Sequence, residues 1–413
     1  METIAGADDR LTGGSADGSV LVLNSGSSSV KFALLVPSSG ELQLGGIGER
    51  LGTAEASMKI QRFPAPAVRE PLPDSSYLAV IARVLDHLAE AGNGKVELLG
   101  AGHRVVHGGE RFTSSTRVDK EVIAALRSTG HMAPLHTPAN VAGMEAVLAL
   151  QPDLPQVAVF DTAFHQTMPP RAFRYAVPDD WYTQHGVRRY GFHGTSHRFV
   201  SEKAAGLLGR PPGDSRVVTA HLGNGCSAAA VRDGVSVDTT MGLTPLEGLV
   251  MGTRSGDIDP GVFGYMASRT GMTVDGLTKV LNSHSGLQAL SGVGNDMRAI
   301  EAAAADGNEH AQLALDVFVH RLCKAISGLV VSLERLDALV FTGGIGENSV
   351  VVRSMVLDRL GFLGLAEDPQ ANADHGRDTG GRISVPGPVQ ALVVPTNEEL
   401  LIARDTARLI AGS

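Results

Sequence analysis

The sequence is poor in cysteine and aromatic residues, and each shortage excludes a class of protein. Cys226 and Cys323 are the only cysteines, so the chain has neither a disulfide framework nor a cysteine-based zinc site. Aromatic residues make up 4% of the chain, too few for a platform on which single-stranded nucleic acid could stack. The net charge of −9 also argues against nucleic acid, because a phosphate backbone needs a basic face. We therefore predict no nucleic-acid partner and, from the isolated thiols, a cytoplasmic protein.

Long apolar runs are lacking as well. No run approaches the roughly 18–20 residues that a membrane-spanning helix needs, so we predict no membrane partner. Residues 1–18 are rich in Gly, Ser and Asp and lack the basic and apolar regions of a signal peptide. We expect them to form a disordered lead-in. The chain has 413 residues, a length that favours two domains over one.

Two stretches of the chain share the order strand, polar glycine-rich tip, strand. In the first, VLVL is followed by NSGSSS (residues 24–29) and VKFALLV, and in the second, VVTAHL is followed by GNGCS (residues 223–227) and AAAVR. Each pattern predicts a β-hairpin whose tip could hold a phosphate through amide and hydroxyl groups. An ordinary polar hairpin explains each tip equally well. Their similarity suggests an internal duplication, which so short a match leaves open.

Helices and further strands alternate with these hairpins, so the predicted fold class is α/β. Apolar residues recur at helical spacing over residues 77–91 and 309–334. The strand ALVFT precedes a predicted glycine turn at residues 343–349 and then a helix, an order that suits phosphate binding. The strand QALVVP precedes Thr396, which with Glu399 predicts a capping box ahead of a closing helix.

Several side chains in other segments suit anion binding or catalysis. Arg104 lies in GHRVVHGGE, where an arginine fork suits a carboxylate and a structural ion pair is the alternative. Asp161 follows a predicted buried strand, where α/β folds build their sites. His193 and His197 lie in RRYGFHGTSH, and either one taken alone is more often structural than catalytic. Arg254 lies in MGTRSGDIDPGV, a loop that is costly to order unless a ligand or neighbour uses it.

Taken together, eight segments resemble the acetate kinase family in order and spacing. They are NSGSSSVKF, GHRVVHGGE, VFDTAFHQTMP, RRYGFHGTSH, HLGNGCS, MGTRSGDIDP, FTGGIGENS and PTNEEL. The resemblance covers residues 20–411 and implies two duplicated actin-like (ribonuclease H-like) domains with a nucleotide cleft between them. The expected N-terminal domain is residues 19–163 plus 399–413, and the expected nucleotide-binding domain is residues 164–398. A homodimer is also expected from the resemblance.

The resemblance implies roles for individual residues by matching position. The expected catalytic residues are Asp161, His193 and Arg254. The expected substrate-binding residues are Arg104, Val106, Leu135, His136, Phe192 and Pro245. The expected nucleotide-binding residues are Lys31, His221, Leu222, Gly223, Asn224, Gly225, Asp296, Met297, Arg298, Gly344, Ile345, Gly346, Glu347 and Asn348. Asn24 and Glu398 are the expected metal residues, for Mg²⁺ with Mn²⁺ as a substitute. One departure is LHTPAN, in which the family more often has Asn-Pro after the histidine.

The implied reaction is reversible transfer of the γ-phosphoryl group of ATP to acetate, giving acetyl phosphate and ADP. A carboxylate is already deprotonated at pH 7, so direct in-line attack requires no general base. We therefore expect Asp161 to orient an arginine or metal-bound water. Stabilising charge on the transferring phosphoryl group is then the main task, which we assign to Arg104, Arg254 and His193.

Three alternative functions are weighed against this one. A kinase for propionate or another short-chain acid differs by a methylene, worth only about 1–3 kcal/mol in a pocket. A non-catalytic nucleotide-dependent switch on the same fold predicts no pair of arginines such as Arg104 and Arg254. A sugar kinase predicts a broad polar pocket, which the apolar set does not resemble. That set is Val106, Leu135, Phe192 and Pro245.

Overall fold

The computed structural model describes residues 18–72, 74–91, 97–134 and 136–412, so all but the last residue of the predicted lead-in lies outside it. The strands within these ranges are β1 (Ser19–Gly26), β2 (Ser29–Leu35), β3 (Leu42–Glu49), β4 (Ser57–Arg62), β5 (Val68–Pro71), β6 (Leu98–Val105), β7 (Thr116–Arg117), β8 (Gln156–Phe160), β9 (Arg216–Leu222), β10 (Cys226–Arg232), β11 (Val235–Thr239), β12 (Ala338–Thr342) and β13 (Gln390–Val393).

Helices alternate with the strands, which confirms the predicted α/β class. They are α1 (Tyr77–Ala91), α2 (Lys120–Ser128), α3 (Thr137–Leu150), α4 (Pro170–Phe173), α5 (Asp179–His185), α6 (Gly194–Leu207), α7 (Gly261–Thr270), α8 (Val274–Ser283), α9 (Gly286–Ser291), α10 (Met297–Ala305), α11 (Glu309–Val331), α12 (Gly343–Asn348), α13 (Val350–Arg359), α14 (Pro369–Ala373) and α15 (Glu398–Ala411). No helix in the described ranges has the length and apolar content that crossing a membrane requires.

The chain divides into two compact units. The first contains the described residues up to Val105, Ser115–Val159 and those from Glu399 onward, and the second contains Val106–Ser114 and Phe160–Glu398.

The first unit is built on a sheet with strand order β5-β4-β3-β2-β1-β6-β8-β7. Strand β1 pairs antiparallel with β2 and parallel with β6. Alternate residues of β1 point to opposite faces: Leu21 and Leu23 pack in one apolar cluster with residues of α1 and α3. Val20 and Val22 pack in another cluster with Ile402 of α15. Both faces of the sheet are thus covered, which explains why the first strand is continuously apolar.

The second unit repeats this arrangement around a sheet with strand order β11-β10-β9-β12-β13. Strand β9 pairs antiparallel with β10 and parallel with β12, as β1 does with β2 and β6. Helix α11 contributes Phe318, Leu322 and Ile326 to the core of this unit. The repeated strand order supports the internal duplication that the two hairpins suggested.

Two local predictions, one at residues 343–349 and one at Thr396, were wrong. The predicted glycine turn at residues 343–349 is mostly the short helix α12, which begins at Gly343 with φ +74°. The side chain of Glu347 stabilises it by accepting a hydrogen bond from the Gly343 amide at 2.9 Å. The capping box is also absent, since α15 begins at Glu398 and the buried Thr396 hydroxyl has no partner. The Thr396 amide instead donates to Glu347 Oε1 at 3.1 Å.

Candidate active site

His193 lies at the start of α6, where the helix meets the second hairpin. Its backbone is left-handed (φ 54°, ψ 26°), and the Gly194 amide after it donates to the Asp161 carbonyl at 2.8 Å. The His193 ring stacks on that of His221 with ring centroids 4.3 Å apart and planes at 24°. Its Nδ1 lies 2.8 Å from Ser227 Oγ on β10. These contacts fix the ring and leave Nε2 on the side away from Ser227.

The His193 ring and the Arg254 guanidinium meet at the tip of the second hairpin. A Cβ atom added at Gly225 would lie 3.4 Å from His193 Nε2 and 3.6 Å from Arg254 Nη1. Arg254 Nη1 also donates to the Pro245 carbonyl at 3.0 Å, which holds the guanidinium in place. The structure thus brings His193 and Arg254, two of the residues predicted to be catalytic, together at this hairpin tip.

Arg254 is a half-buried cation, and no carboxylate among the described residues contributes to its electrostatic environment. Burial lowers the pKa of Arg254 from its ordinary value, because the charged form loses contact with water. The guanidinium stays protonated nonetheless, because an arginine side chain does not lose its proton in proteins. A half-buried positive charge without a protein anion suits a bound carboxylate or phosphate.

A hydrogen bond between Asn224 and Asn295 joins one expected nucleotide-binding segment to the residue that precedes another. Asn295 Nδ2 donates to Asn224 Oδ1 at 2.8 Å, and the Gly252 amide donates to the Asn224 carbonyl at 2.9 Å. Asp296 begins α10 by accepting from the Arg298 amide at 3.0 Å. The Arg298 side chain, which is 88% exposed, pairs with Asp296 at 2.7 Å and so holds the pKa of that carboxyl below its ordinary value. Asp296 and Arg298 are thus exposed at a helix start beside the hairpin tip, whereas Met297 between them is buried.

The third expected nucleotide-binding segment, Gly344, Ile345, Gly346, Glu347 and Asn348, forms most of α12. The Glu347 carboxylate is used to hold this helix, as described above, and its carbonyl accepts from the buried Arg353 at 2.9 Å. Burial lowers the pKa of Arg353 to about 10. No local sequence pattern singles out Arg353, because an isolated arginine in a helix is ordinarily exposed.

Three further residues of the second unit are placed as follows. Asp161 is 2% exposed and directly follows β8, as predicted. Glu398 is the first residue of α15, and its Oε2 accepts a hydrogen bond from Thr195 Oγ1 at 2.7 Å. Phe192 is buried, and its carbonyl accepts from His165 Nε2 at 3.0 Å.

The other expected apolar residues are less completely placed. Val106 is half-buried and packs against the core of the second unit. Pro245 is half-buried and lies beside Arg254 through its carbonyl. Leu135 falls outside the described residues.

The remaining predicted site residues belong to the first unit. Asn24 and Lys31 are opposite each other in the β1–β2 register, with Asn24 half-buried and Lys31 exposed. The tip of this hairpin is tied to α3, because Asn140 Nδ2 donates to the Ser25 carbonyl at 2.9 Å. Arg104 lies near the end of β6 and His136 immediately precedes α3, both half-buried.

Sequence reasoning missed the polar partners of the predicted residues. Ser227 contacts His193, Thr195 contacts Glu398, and Asn295 contacts Asn224. Strand alternation was the one sequence signal for such partners: it places Thr219 on the same face of β9 as the predicted site residue His221. Contacts between segments far apart in the chain leave no such signal.

Comparison with known proteins places these features in a family context. The profile of the acetokinase family matches residues 19–404. The acetate kinase of Deinococcus radiodurans is 55% identical over 392 residues, which cover 95% of this chain and 98% of that protein. The crystal structure of Porphyromonas gingivalis acetate kinase is similar with a TM-score of 0.90 and 41% identity, covering 95% of this chain and 99% of that one. A propionate kinase from Francisella tularensis is similar with a TM-score of 0.88 and 42% identity, covering 94% and 98%.

Proposed function

This chain belongs to the acetokinase family, and from that premise we propose that it transfers the γ-phosphoryl group of ATP reversibly to acetate, forming acetyl phosphate and ADP. The observation that carries the proposal is the half-buried Arg254 guanidinium beside the His193 ring at Gly225. An arginine fork matches the two oxygens of a carboxylate, and it equally suits the oxygens of a phosphoryl group.

The chain's own residues perform the reaction mainly by binding and electrostatics. Arg254 and Arg104 orient the acetate carboxylate and stabilise negative charge on the transferring phosphoryl group. His193 donates a hydrogen bond to the same phosphoryl oxygens. The carboxylate attacks in line and has no proton to lose, so Asp161 acts as an orienting group rather than as a base.

Nucleotide binding is assigned to Lys31, His221–Gly225, Asp296–Arg298 and Gly344–Asn348. Support comes from the Asn224–Asn295 hydrogen bond, which joins the His221–Gly225 segment to the residue that precedes Asp296. Glycines in this region let the backbone approach a ligand closely, and Gly252 faces Asn224 Oδ1 so tightly that an added Cβ would lie 2.1 Å from it.

Magnesium is the ion that the donor set suits best. The described residues contain no cluster of three or more His, Cys, Asp or Glu that could hold a metal unaided. Mg²⁺ usually takes one or two protein oxygens, with water and substrate phosphates completing its shell. Glu398, oriented by Thr195, and Asn24 are oxygen donors of this kind, and either Mg²⁺ or Mn²⁺ suits them. The bound ion supplies positive charge that neutralises the ATP phosphates.

The wider assignments are also proposals. We assign the two actin-like domains to residues 19–163 plus 399–413 and to residues 164–398. A homodimer is supported by exposed apolar side chains on and beside α7 and α8, namely Ile258, Val262, Tyr265, Met272 and Val274. A cytoplasmic location follows from the requirement for ATP. Propionate is the second candidate substrate, favoured by the 42% identity to a propionate kinase.

Trapping the acyl phosphate with hydroxylamine tests the function directly. Acetate, propionate, butyrate and glycerol are compared with ATP and magnesium present, and acetate is expected to give the highest kcat/KM. Arg254→Ala should still bind ATP but lose turnover by about 10²–10³-fold, the usual effect of removing one transition-state charge contact. Near-normal turnover of that variant would contradict the assignment of Arg254, and no hydroxamate with any acid would contradict the function.

A further inference from the structure

A chain of buried hydrogen bonds leads away from His193 into the core of the second unit. Ser227 Oγ lies 2.8 Å from His193 Nδ1 and 2.7 Å from His197 Nε2. His197 Nδ1 lies 2.7 Å from Thr219 Oγ1. Thr219, Ser227 and His197 are all 0% exposed, so water cannot replace the contacts among them, and the contact between Ser227 and the half-buried His193 is partly shielded. This hydrogen-bond chain therefore consists of four side chains, those of His193, Ser227, His197 and Thr219.

The secondary structure brings these four side chains together. His193 and His197 lie one helical turn apart at the start of α6, so they point to the same side. Thr219 is on β9, and Ser227 is on β10 directly opposite His221 in the antiparallel register. Residues 219, 221 and 227 thus share the sheet face on which α6 packs. Helix α6 and strands β9 and β10 therefore hold the four side chains of this hydrogen-bond chain in a defined geometry.

The direction of the hydrogen bonds follows from Thr219. Among the residues that the structure describes, the only other acceptor near its hydroxyl is the Ala229 carbonyl at 3.5 Å, well beyond a normal O–H···O distance. If Thr219 accepted from His197, its own buried hydrogen would be left almost without an acceptor, which is costly. Thr219 therefore donates to His197 Nδ1.

The remaining directions follow in order. Burial, with His165 and His221 nearby, lowers the pKa of His197 well below its ordinary value, so this imidazole is neutral and carries one hydrogen. With Nδ1 accepting, that hydrogen is on Nε2 and is donated to Ser227 Oγ. Ser227 then donates its own hydrogen to His193 Nδ1. The one hydrogen of a neutral His193 is left on Nε2, which faces Gly225 and Arg254.

We propose that Thr219, His197 and Ser227 are positioning residues that hold His193 in the neutral Nε2–H tautomer. His193 can then donate to the phosphoryl oxygens without being protonated, and the inference rests on the proposed role of His193. The charged and titratable groups that the described contacts place near this ring include His197 of α6, His221 of β9 and Arg254 of the loop after β11. Asp161 also lies nearby, since its carbonyl accepts from the amide of Gly194, the residue after His193.

Nitrogen-15 NMR of the histidine side chains tests the tautomer in the full-length protein without reference to activity. His193→Gln identifies the His193 signals by their loss. The expected result is a protonated Nε2 and an unprotonated Nδ1 at pH 7.5. A protonated Nδ1 in the parent protein would overturn the proposed direction, whether or not any variant folds.

Ser227→Ala supplies the second test, with Ser236→Ala as its matched control. Ser236 is an equally buried serine whose Oγ lies 2.7 Å from His165 Nδ1, outside this chain of hydrogen bonds. Ser227→Ala should give a mixture of His193 tautomers and lower kcat about tenfold at pH 8, with KM for acetate and ATP little changed. Ser236→Ala should keep the parent His193 spectrum and a kcat within about twofold.

Thr219→Val is a third variant, which keeps the side-chain shape and removes the hydrogen that sets the direction. It should change the His193 signals in the same sense as Ser227→Ala. An unchanged His193 tautomer in both Ser227→Ala and Thr219→Val would overturn the proposal. Full turnover of His193→Gln would instead contradict the catalytic role of His193 and leave the spectroscopic result standing, so the two failures are distinguishable.

Discussion

Arginines in the second unit differ in whether a carboxylate already neutralises them. Arg189 pairs with Glu247, and Arg188 pairs with Glu110 at 2.6 Å. Each of these charges is therefore satisfied within the protein and stabilises local structure. Arg254 instead donates to a carbonyl, which orients the guanidinium without cancelling its charge. This difference, which the sequence does not reveal, makes Arg254 the better anion ligand.

Glu398 provides a residue-scale test of the metal assignment. Glu398→Gln keeps the side-chain shape and removes the charge, so the magnesium concentration giving half-maximal activity should rise about 10- to 100-fold. The neighbouring Glu399 is exposed, and Glu399→Gln is the control, with an unchanged magnesium requirement. Activity is measured against magnesium concentration at saturating ATP and acetate. A larger effect at Glu399 would mean that the two roles are reversed.

Val106 tests the preference between acetate and propionate. Val106→Ala removes two methyl groups from the proposed wall, so one more substrate carbon should fit. The ratio of kcat/KM for propionate over acetate should rise several-fold, on the order of 1 kcal/mol. Val331→Ala, at an 80% exposed position on α11, is the control and should keep the parent ratio. An unchanged ratio in a folded Val106→Ala variant would remove this residue from the acyl pocket.

At the scale of elements, periodicity predicted the regular structure and failed where a side chain from another segment decides the backbone. Both hairpins, α1 and α11 follow the sequence pattern, because their apolar spacing matches the surfaces that they bury. The glycines of residues 343–348 predict a turn. The segment instead forms α12, because Glu347 and the backbone of β9 determine its conformation. Thr396 lacks its predicted capping role because its amide is used by that same Glu347.

Gly343 and Gly344 make a matched pair for testing how α12 is built. A Cβ at Gly343 would lie 2.8 Å from the Leu222 carbonyl oxygen, and its φ of +74° is strained for alanine. A Cβ at Gly344 meets nothing within 4 Å, and its φ is not in the left-handed region. Gly343→Ala should therefore lower stability by about 1–3 kcal/mol, whereas Gly344→Ala should leave it unchanged or slightly raised.

Thermal unfolding of the two variants without nucleotide measures this difference. Gly343→Ala should unfold several degrees below the parent protein, and Gly344→Ala should unfold within about one degree of it. Equal midpoints for both variants would show that β9 and α12 can move apart without cost.

At the scale of the whole molecule, sequence resemblance supplied the family and the candidate residues, whereas packing supplied their partners. The repeated strand order of the two sheets was only suggested by two short hairpins, because duplicated folds keep topology after most residues have changed. The hydrogen-bond chain from Thr219 to His193 joins residues of β9, β10 and α6. No local sequence pattern predicts which hydroxyl contacts which histidine ring. The hydrogen bonds among these buried polar side chains are therefore the part of the site that could not be predicted from the sequence.

Buried histidines in both units predict how the stability of the whole protein depends on pH. Burial lowers the pKa of His103, which contacts Gln156, and of His165, which contacts Ser236, to about 4 in each case. In the unfolded chain both groups have a pKa of about 6.5. Between these values the unfolded state binds more protons, so stability is complete above about pH 6.5 and falls as the pH drops towards 4. Each histidine contributes up to about 1.4 kcal/mol per pH unit over this interval.

The experiment is thermal unfolding between pH 5.5 and 7.5, a range above the ordinary pKa values of carboxylates. The midpoint should be nearly constant at the upper end and should fall towards the lower end. His103→Gln removes one of the buried titrating groups, so its curve should be flatter even if its midpoint at pH 7.5 is lower. His310 is exposed on α11, and His310→Gln is the control, which should reproduce the parent curve. If His103→Gln kept the full slope of the parent, the charge that destabilises the protein in mild acid would have to lie elsewhere, with His165 and its neighbour His197 the next groups to replace.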